Sequence, residues 1–397
     1  MSGVVRLLEE IAEVGRSRES GGYRRFAWTA EDATLRAWFR GEAEALGLEV
    51  VEDRVGNQWA WWGDPDAARA AGDPGVVTGS HLDSVPDGGG YDGPLGVASS
   101  LAAVARLRAD GFTPARPLAV ANFVDEEGAR FGIACAGSRV LTGALPADRA
   151  LSLRDGDGLT MAEALRAAGR STSSYGRDDE ALARIGTFVE LHVEQGRWLA
   201  DTEHPVAVGS SIWPHGRWRF DFEGEANHAG TTRLADRHDP MLQLAALITA
   251  AREEAAAHGC VATVGKVRVL PNGVNAIPSA VTGWLDARGA DEAAVLRIVP
   301  GLEARLGTTA VEESYTADTA FDPDLARSLA ALLDGVPVIG TGAGHDAGVL
   351  SSHGVRSAML FVRNPTGVSH SPLEHAEDAD CEAGVDALVT VLRDLAG

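Results

Sequence analysis

Three apolar runs in this chain end in the same way. "GVVTGSHLD" (75–83), "PLAVANFVDEEG" (117–128) and "GTFVELHVEQG" (186–196) each begin as a buried-type strand and break directly into histidine and carboxylate residues. After the first, "SSLAAVARLRADG" (99–111) has a helical rhythm and is closed by Gly111. Apolar strands that alternate with helices predict an α/β fold with an open mixed sheet. Polar groups at the strand ends place its ligand site along one edge.

The flanking segments extend this plan. Residues 1–50 read as helical, and "GLEVVEDRVGNQWAWWG" (47–63) as paired strands. From 210 to 319 the pattern changes. "GRWRFDFEGE", "VATVGKVRVL", "AVTGWLDARG" and "TAVEESY" read as strands, with helices "DPMLQLAALITAAREEAAAHG" and "DEAAVLRIVPGLEARLG" after the first and third. That β-α-β-β-α-β order predicts an α+β, ferredoxin-like unit, four strands with two helices on one face. Beyond it, "FDPDLARSLAALL", "PVIGTGAGHDAGVL" and "SAMLFV" resume the α/β alternation. The expectation is one domain in two parts, 1–209 and 320–397, interrupted by an inserted domain, 210–319.

Charge and cysteine usage narrow the partners. Hydrophobic residues make up 45% of the 397 and charged residues 23%, ordinary values for a soluble globular chain. A formal net charge of −22 argues against a nucleic-acid partner, which favours a basic face. Cys135, Cys260 and Cys381 are few, odd in number and far apart, the pattern of reduced cytoplasmic thiols, and no CxxC suggests a thiolate zinc site. "MSGVVRLLEEIAEVGR" mixes acidic with apolar residues in an amphipathic rhythm. It reads neither as a signal peptide nor as a membrane span, so the expected location is the cytoplasm.

His81 and Asp83 occupy alternate positions after their strand, so both side chains can face one way. Asp92 follows a glycine-rich turn, Glu126 and Glu127 are adjacent at a second strand end, His192 closes a third, and His370 lies in "GVSHSPLEH". Imidazoles and carboxylates without thiols are the ligand types of zinc, manganese or cobalt. A single His or Asp in a loop is more often a turn, a cap or a solvated group, and Glu126–Glu127 could be a solvated helix start. Spacing alone leaves both readings open.

In order along the chain, "GSHLDSVPDGGGYDGPLGV", "DEEGARFG", "ELHVEQG", "NHAGTT", "NGVNAIPS", "GAGHDA" and "SHSPLEH" resemble the motifs of the hydantoinase/carbamoylase-type amidases. That branch of the dinuclear metallopeptidase clan includes N-carbamoyl-L-amino-acid hydrolases, allantoate amidohydrolases and β-ureidopropionases. The resemblance implies two divalent metal ions, Zn2+, Mn2+ or Co2+. His81, Asp92 and His192 would hold one, and Asp92, Glu127 and His370 the other, with Asp92 bridging. Asp83 would orient His81 and Glu126 would be the general base. His228 would be an oxyanion donor reaching the site from the partner subunit of a homodimer. Arg288 would bind a substrate carboxylate with Asn275 as its amide partner. Gln195 and His345 fall in matching motifs for substrate binding, although His345 could equally fix its loop through Asp346. The inserted domain would serve as a lid and dimerisation domain. Read on residues alone, "NHAGTT" is a helix-cap or turn cluster and Arg288 a surface arginine after a strand.

The implied reaction cleaves a linear carbamoyl C–N bond of an N-carbamoyl-L-amino acid, releasing the amino acid, carbon dioxide and ammonia. Allantoate is the alternative substrate; a β-ureidopropionase or aminoacylase is more distant. A metal-free binding protein of the same fold would show a broken ligand set or a replaced Glu126, and here every position is filled. The chain departs from the family pattern at Arg233 and Leu234, which follow "HAGTT", and at Trp213, His215 and Trp218. Those aromatic residues either pack the core of the inserted sheet or reshape the substrate pocket.

Overall fold

The apolar runs become the centre of a mixed sheet. In the computed structural model, which describes residues 3–397, Leu118–Phe123, Gly75–His81, Ile185–Val193 and Arg356–Val362 lie side by side in that order, all parallel. Gln58–Trp62 and Glu49–Glu52 extend one edge antiparallel, and Val206–Ile212 extends the other. Gly75–His81 and Leu118–Phe123 are buried at every residue, which is why both read as near-continuous apolar runs.

Both faces of this sheet are covered. Val189, Leu191 and Val193 share a core with the helices Pro94–Ala109 and Asp378–Ala396. Side chains alternate along a strand, so Glu190 and His192 face the other side. There the helix Asp346–Ser352 donates its Ala347 N–H to the Glu190 carboxylate at 3.0 Å. Gly75–His81 has Leu118–Phe123 on one side and Ile185–Val193 on the other, so the winding direction reverses at its carboxyl end. In open α/β sheets that reversal opens a crevice for ligands.

These elements belong to the first of two compact units, which contains the chain up to Ser211 and Ala320–Gly397; the second is Ile212–Thr319. In the second, four antiparallel strands run in the order Val311–Thr316, His215–Glu223, Ala280–Arg288, Val261–Leu270. His215–Glu223 alternates strictly, with Trp218, Phe220 and Phe222 buried and Arg217, Arg219 and Asp221 facing out. The buried residues pack against the helices Pro240–His258 and Glu292–Leu306 through Leu247 and Ile298. Trp218 is therefore core packing. His215 is half-buried and donates from Nδ1 to the Trp213 carbonyl at 2.9 Å, while exposed Arg233 pairs with Asp236 at 2.6 Å. No described helix is long and apolar enough to cross a membrane.

Candidate metal centre

Four loops leaving the carboxyl ends of the parallel strands meet around Asp92. The first doubles back after His81 and delivers Asp92 just before the helix Pro94–Ala109. Two glycines make the reversal possible. Gly93 has φ 84°, and a Cβ there would lie 2.4–2.6 Å from three atoms of the His81 ring. A Cβ on Gly89 would lie 2.3 Å from Glu374 Oε2. The glycine-rich stretch brings backbone against side chain where no other residue fits.

Asp92 divides two groups of donors. Its Oδ1 lies 3.2 Å from His192 Nε2 and 3.7 Å from His81 Nε2. Its Oδ2 lies 3.4 Å from His370 Nε2, which is 3.7 Å from Glu127 Oε2. In each of the two groups, His81, Asp92 and His192 and Asp92, Glu127 and His370, the donor atoms lie within 4.8 Å of one another. The first group is buried throughout; His370 in the second is half exposed and sits at φ 55°.

The tautomers of the buried rings are set by their other nitrogens. His81 Nδ1 donates to the Asp83 carbonyl at 3.1 Å, and His192 Nδ1 donates to the Val193 carbonyl at 2.8 Å. A carbonyl only accepts, so each neutral ring holds a lone pair at Nε2. Both Nε2 atoms are buried without a hydrogen-bond partner, as is Glu127 Oε1, and both face a carboxylate oxygen. Two acceptors placed that way call for a cation between them. A proton can serve one such pair, whereas two sets of three converging nitrogen and oxygen donors fit divalent ions. Glu190, His192 and His345 form a third cluster. Glu190, however, already accepts from the Ser80 hydroxyl at 2.8 Å and from Ala347 N–H, which ties it to the fold.

Charges in this cluster shift one another. Burial alone would raise the Asp92 carboxyl, but the close approach of His192 and the charges of His192, His81 and His370 hold it well below the usual carboxylate range. Burial opposes charge on His81, yet Glu126 and Asp83 outweigh it and lift the ring well above its ordinary value. Burial pushes Glu126 and Glu127 far up, with His81 opposing in each case. His345 is driven well down by burial and by the charge of His192, whose ring centre is 4.5 Å away, and stays neutral.

Glu126 is buried with Oε2 3.7 Å from His81 Nε2, and its Oε1 accepts from the Cys135 thiol at 3.2 Å. Asp83 holds more than one neighbour. Its carboxylate lies 3.4 Å from His81 Nδ1 and also accepts the N–H groups of Glu126 and Glu127, each at 3.1 Å. Gln195 Nε2 donates to Asp92 Oδ2 at 2.8 Å and to Ser369 Oγ at 3.1 Å. Sequence reasoning did not single out Cys135, Glu190, Ser369 or Glu374. Three of them sit inside the quoted motifs, and nothing in their spacing marks their contacts.

His228, Asn275 and Arg288 belong to the second unit. His228 is exposed, and its Nδ1 accepts Gly230 N–H at 3.0 Å, so the neutral ring carries its hydrogen on Nε2 and can donate. The loop is a turn cluster, as its residues alone suggest: Thr232 donates to the His228 carbonyl at 2.8 Å, and Arg237 bonds the carbonyls of Ala229 and Thr232. Asn275 is exposed beside it, its carbonyl accepting Ala229 N–H at 2.9 Å. Arg288 is partly buried at a strand end and forks Asp286 at 2.6 and 2.9 Å.

The sequence profile of the peptidase family M20/M25/M40 matches residues 77–394, and the chain belongs to that family. Its enzymes are generally metal-dependent. Within the family the chain is 35% identical to the N-carbamoyl-L-amino acid amidohydrolase of Geobacillus stearothermophilus, over 98% of this chain and 97% of that one. It is 31% identical to the allantoate amidohydrolase of Bacillus subtilis, over 98% and 96%. A solved hydantoinase/carbamoylase family amidase from Burkholderia vietnamiensis superposes with a TM-score of 0.86 at 31% identity, covering 99% of this chain and 96% of that one. These relatives place the chain among hydrolases of non-peptide C–N bonds in linear amides.

Proposed function

We propose that the chain cleaves the carbamoyl C–N bond of an N-carbamoyl-L-amino acid with two divalent ions, one held by His81, Asp92 and His192, the other by Asp92, Glu127 and His370. The observation that carries this reading is the division of Asp92, whose two oxygens face separate donor groups. When bound, such ions supply Lewis acidity to the attacked carbonyl and to the water that attacks it; zinc, manganese and cobalt all suit these donors. Glu126 takes the water proton and passes it to the leaving nitrogen, a role suited to a buried carboxylate with a raised pKa. Arg288 binds the substrate carboxylate as a bidentate fork shared with Asp286, and Asn275, Gln195 and His345 complete the binding set.

The working assembly in this reading is a homodimer in which His228 of one copy donates through Nε2 to the oxyanion formed in the other. The second unit acts as lid and dimerisation domain. Supporting this, it carries most of the large apolar side chains left exposed, among them Leu234, Leu242, Ile248, Val261 and Val274. Free thiols at Cys135, Cys260 and Cys381 support a cytoplasmic setting.

Allantoate hydrolysis is the second reading, favoured by the near-full-length likeness to the Bacillus subtilis allantoate amidohydrolase. Ammonia release by protein reconstituted with manganese or zinc separates the two. The panel holds N-carbamoyl-L-amino acids, their D-forms, allantoate, N-carbamoyl-β-alanine and N-acetylamino acids. The expected result is preference for an L-carbamoyl acid. Preference for allantoate installs the second reading, and silence across the panel with metal bound overturns both.

A further inference from the structure

We propose that Glu374 is a positioning residue that locks Asp92 in place between the two donor groups, an inference that rests on the metal-centre reading. Glu374 is a buried carboxylate that the proposed chemistry does not use. Its Oε2 accepts the backbone N–H groups of Tyr91 at 3.0 Å and Asp92 at 2.9 Å. Its Oε1 accepts the Ser369 hydroxyl at 3.2 Å. Ser369 Oγ in turn accepts from Gln195 Nε2, and the same nitrogen donates to Asp92 Oδ2.

The hydrogen bonds therefore close a circuit. It starts at the backbone N–H of Asp92, passes through Glu374, Ser369 and Gln195, and returns to the carboxylate of Asp92. The circuit also joins the loop that carries Asp92 to the loop that carries His370, since Ser369 and Glu374 flank that histidine in the chain. Gly89 has no side chain where Glu374 passes, so the carboxylate lies directly against the loop it grips. A carboxylate that is to serve both donor groups would have to keep both oxygens in place at once, each facing its own set. Outer hydrogen bonds of this kind are what keep a ligand in that register. With Glu374 removed, two backbone N–H groups lose their acceptor and the two loops are no longer tied.

The test uses full-length protein loaded with Co2+, whose visible absorption reports the donor geometry. Affinity is measured by chelator competition and folding by thermal melting, for Glu374→Ala, Glu374→Gln and Ser369→Ala. Glu374→Ala is expected to lose about 10–100-fold in Co2+ affinity and to change the spectrum. Glu374→Gln keeps an amide oxygen for both N–H groups and should stay within several-fold of wild type, with Ser369→Ala in between. Wild-type affinity and spectrum in Glu374→Ala would overturn the proposal, as would a loss in Glu374→Gln as large as that in Glu374→Ala. If Glu374→Ala does not fold, the ordering of Ser369→Ala and Glu374→Gln against wild type decides. Wild-type protein that takes up no Co2+ overturns instead the metal-centre reading beneath it.

Discussion

Glu126 and Glu127 are neighbours in the chain with different surroundings, and their proposed roles differ for that reason. Glu127 Oε2 lies 3.7 Å from His370 and its Oε1 is an orphan, so it points into a donor group. Glu126 is held by the Cys135 thiol on one oxygen and faces His81 with the other. It belongs to neither group that contains Asp92. Glu126→Gln preserves shape and removes the ability to accept a proton. Turnover is expected to fall by about 10²–10⁴-fold, the usual contribution of general acid–base catalysis, with metal content unchanged by elemental analysis. Loss of metal in that variant would make Glu126 a ligand instead. At this scale the residues of the two donor groups around Asp92 could be named from the quoted motifs through the family resemblance, whereas spacing alone left turns, caps or solvated groups as an equal reading. Their supports could not be named. That Asp83 grips two N–H groups, or that Glu374 reaches back to Asp92 from the far end of the chain, depends on loop closure that no spacing encodes.

Among the helices, long ones were readable and short ones were not, whereas the short paired strands Glu49–Glu52 and Gln58–Trp62 were read from their turn residues. The helix read from residue 99 begins at Pro94, with Pro at its first turn and Gly93 before it. It is buried on nearly all sides, so its early residues show no polar face to mark the start. Between 136 and 183, the helices Ala136–Thr142, Ala147–Ser152, Met161–Ala167 and Asp179–Ala183 span only five to seven residues each, too short to display a period. The strand-to-helix connection at Gly93 yields a prediction of its own. Its backbone lies where only glycine is comfortable, and a Cβ would enter the His81 ring. Gly93→Ala is expected to cost about 1–3 kcal/mol from the backbone alone. The displaced ring should weaken metal binding in parallel. Melting temperature and Co2+ affinity, measured together, should both drop. A variant that loses stability while keeping wild-type affinity would show that the ring position does not depend on this glycine.

For the whole molecule, the decisive question is whether one chain suffices. Glu126 lies in the first unit and His228 in the second, so the two proposed roles can be knocked out independently. Two chains of formal charge −22 repel, and the exposed apolar side chains of the second unit are what would have to outweigh that repulsion. A small unit also exposes more apolar surface simply because its surface is large for its volume, so exposure alone does not decide. Mixing does. In a dimer of one Glu126→Gln chain and one His228→Ala chain, the second chain keeps its own Glu126 and borrows the intact His228 of the first. The other site lacks both groups. Random exchange makes half the dimers mixed, each with one competent site, so mixing two inactive preparations should restore about a quarter of wild-type activity. If mixed dimers form, as shown by a size or affinity tag on one chain, and activity stays at the level of the parents, His228 does not act across the assembly. Activity in the His228→Ala chain alone would remove it from the chemistry, leaving a turn residue whose ring accepts the Gly230 N–H and whose carbonyl accepts the Thr232 hydroxyl.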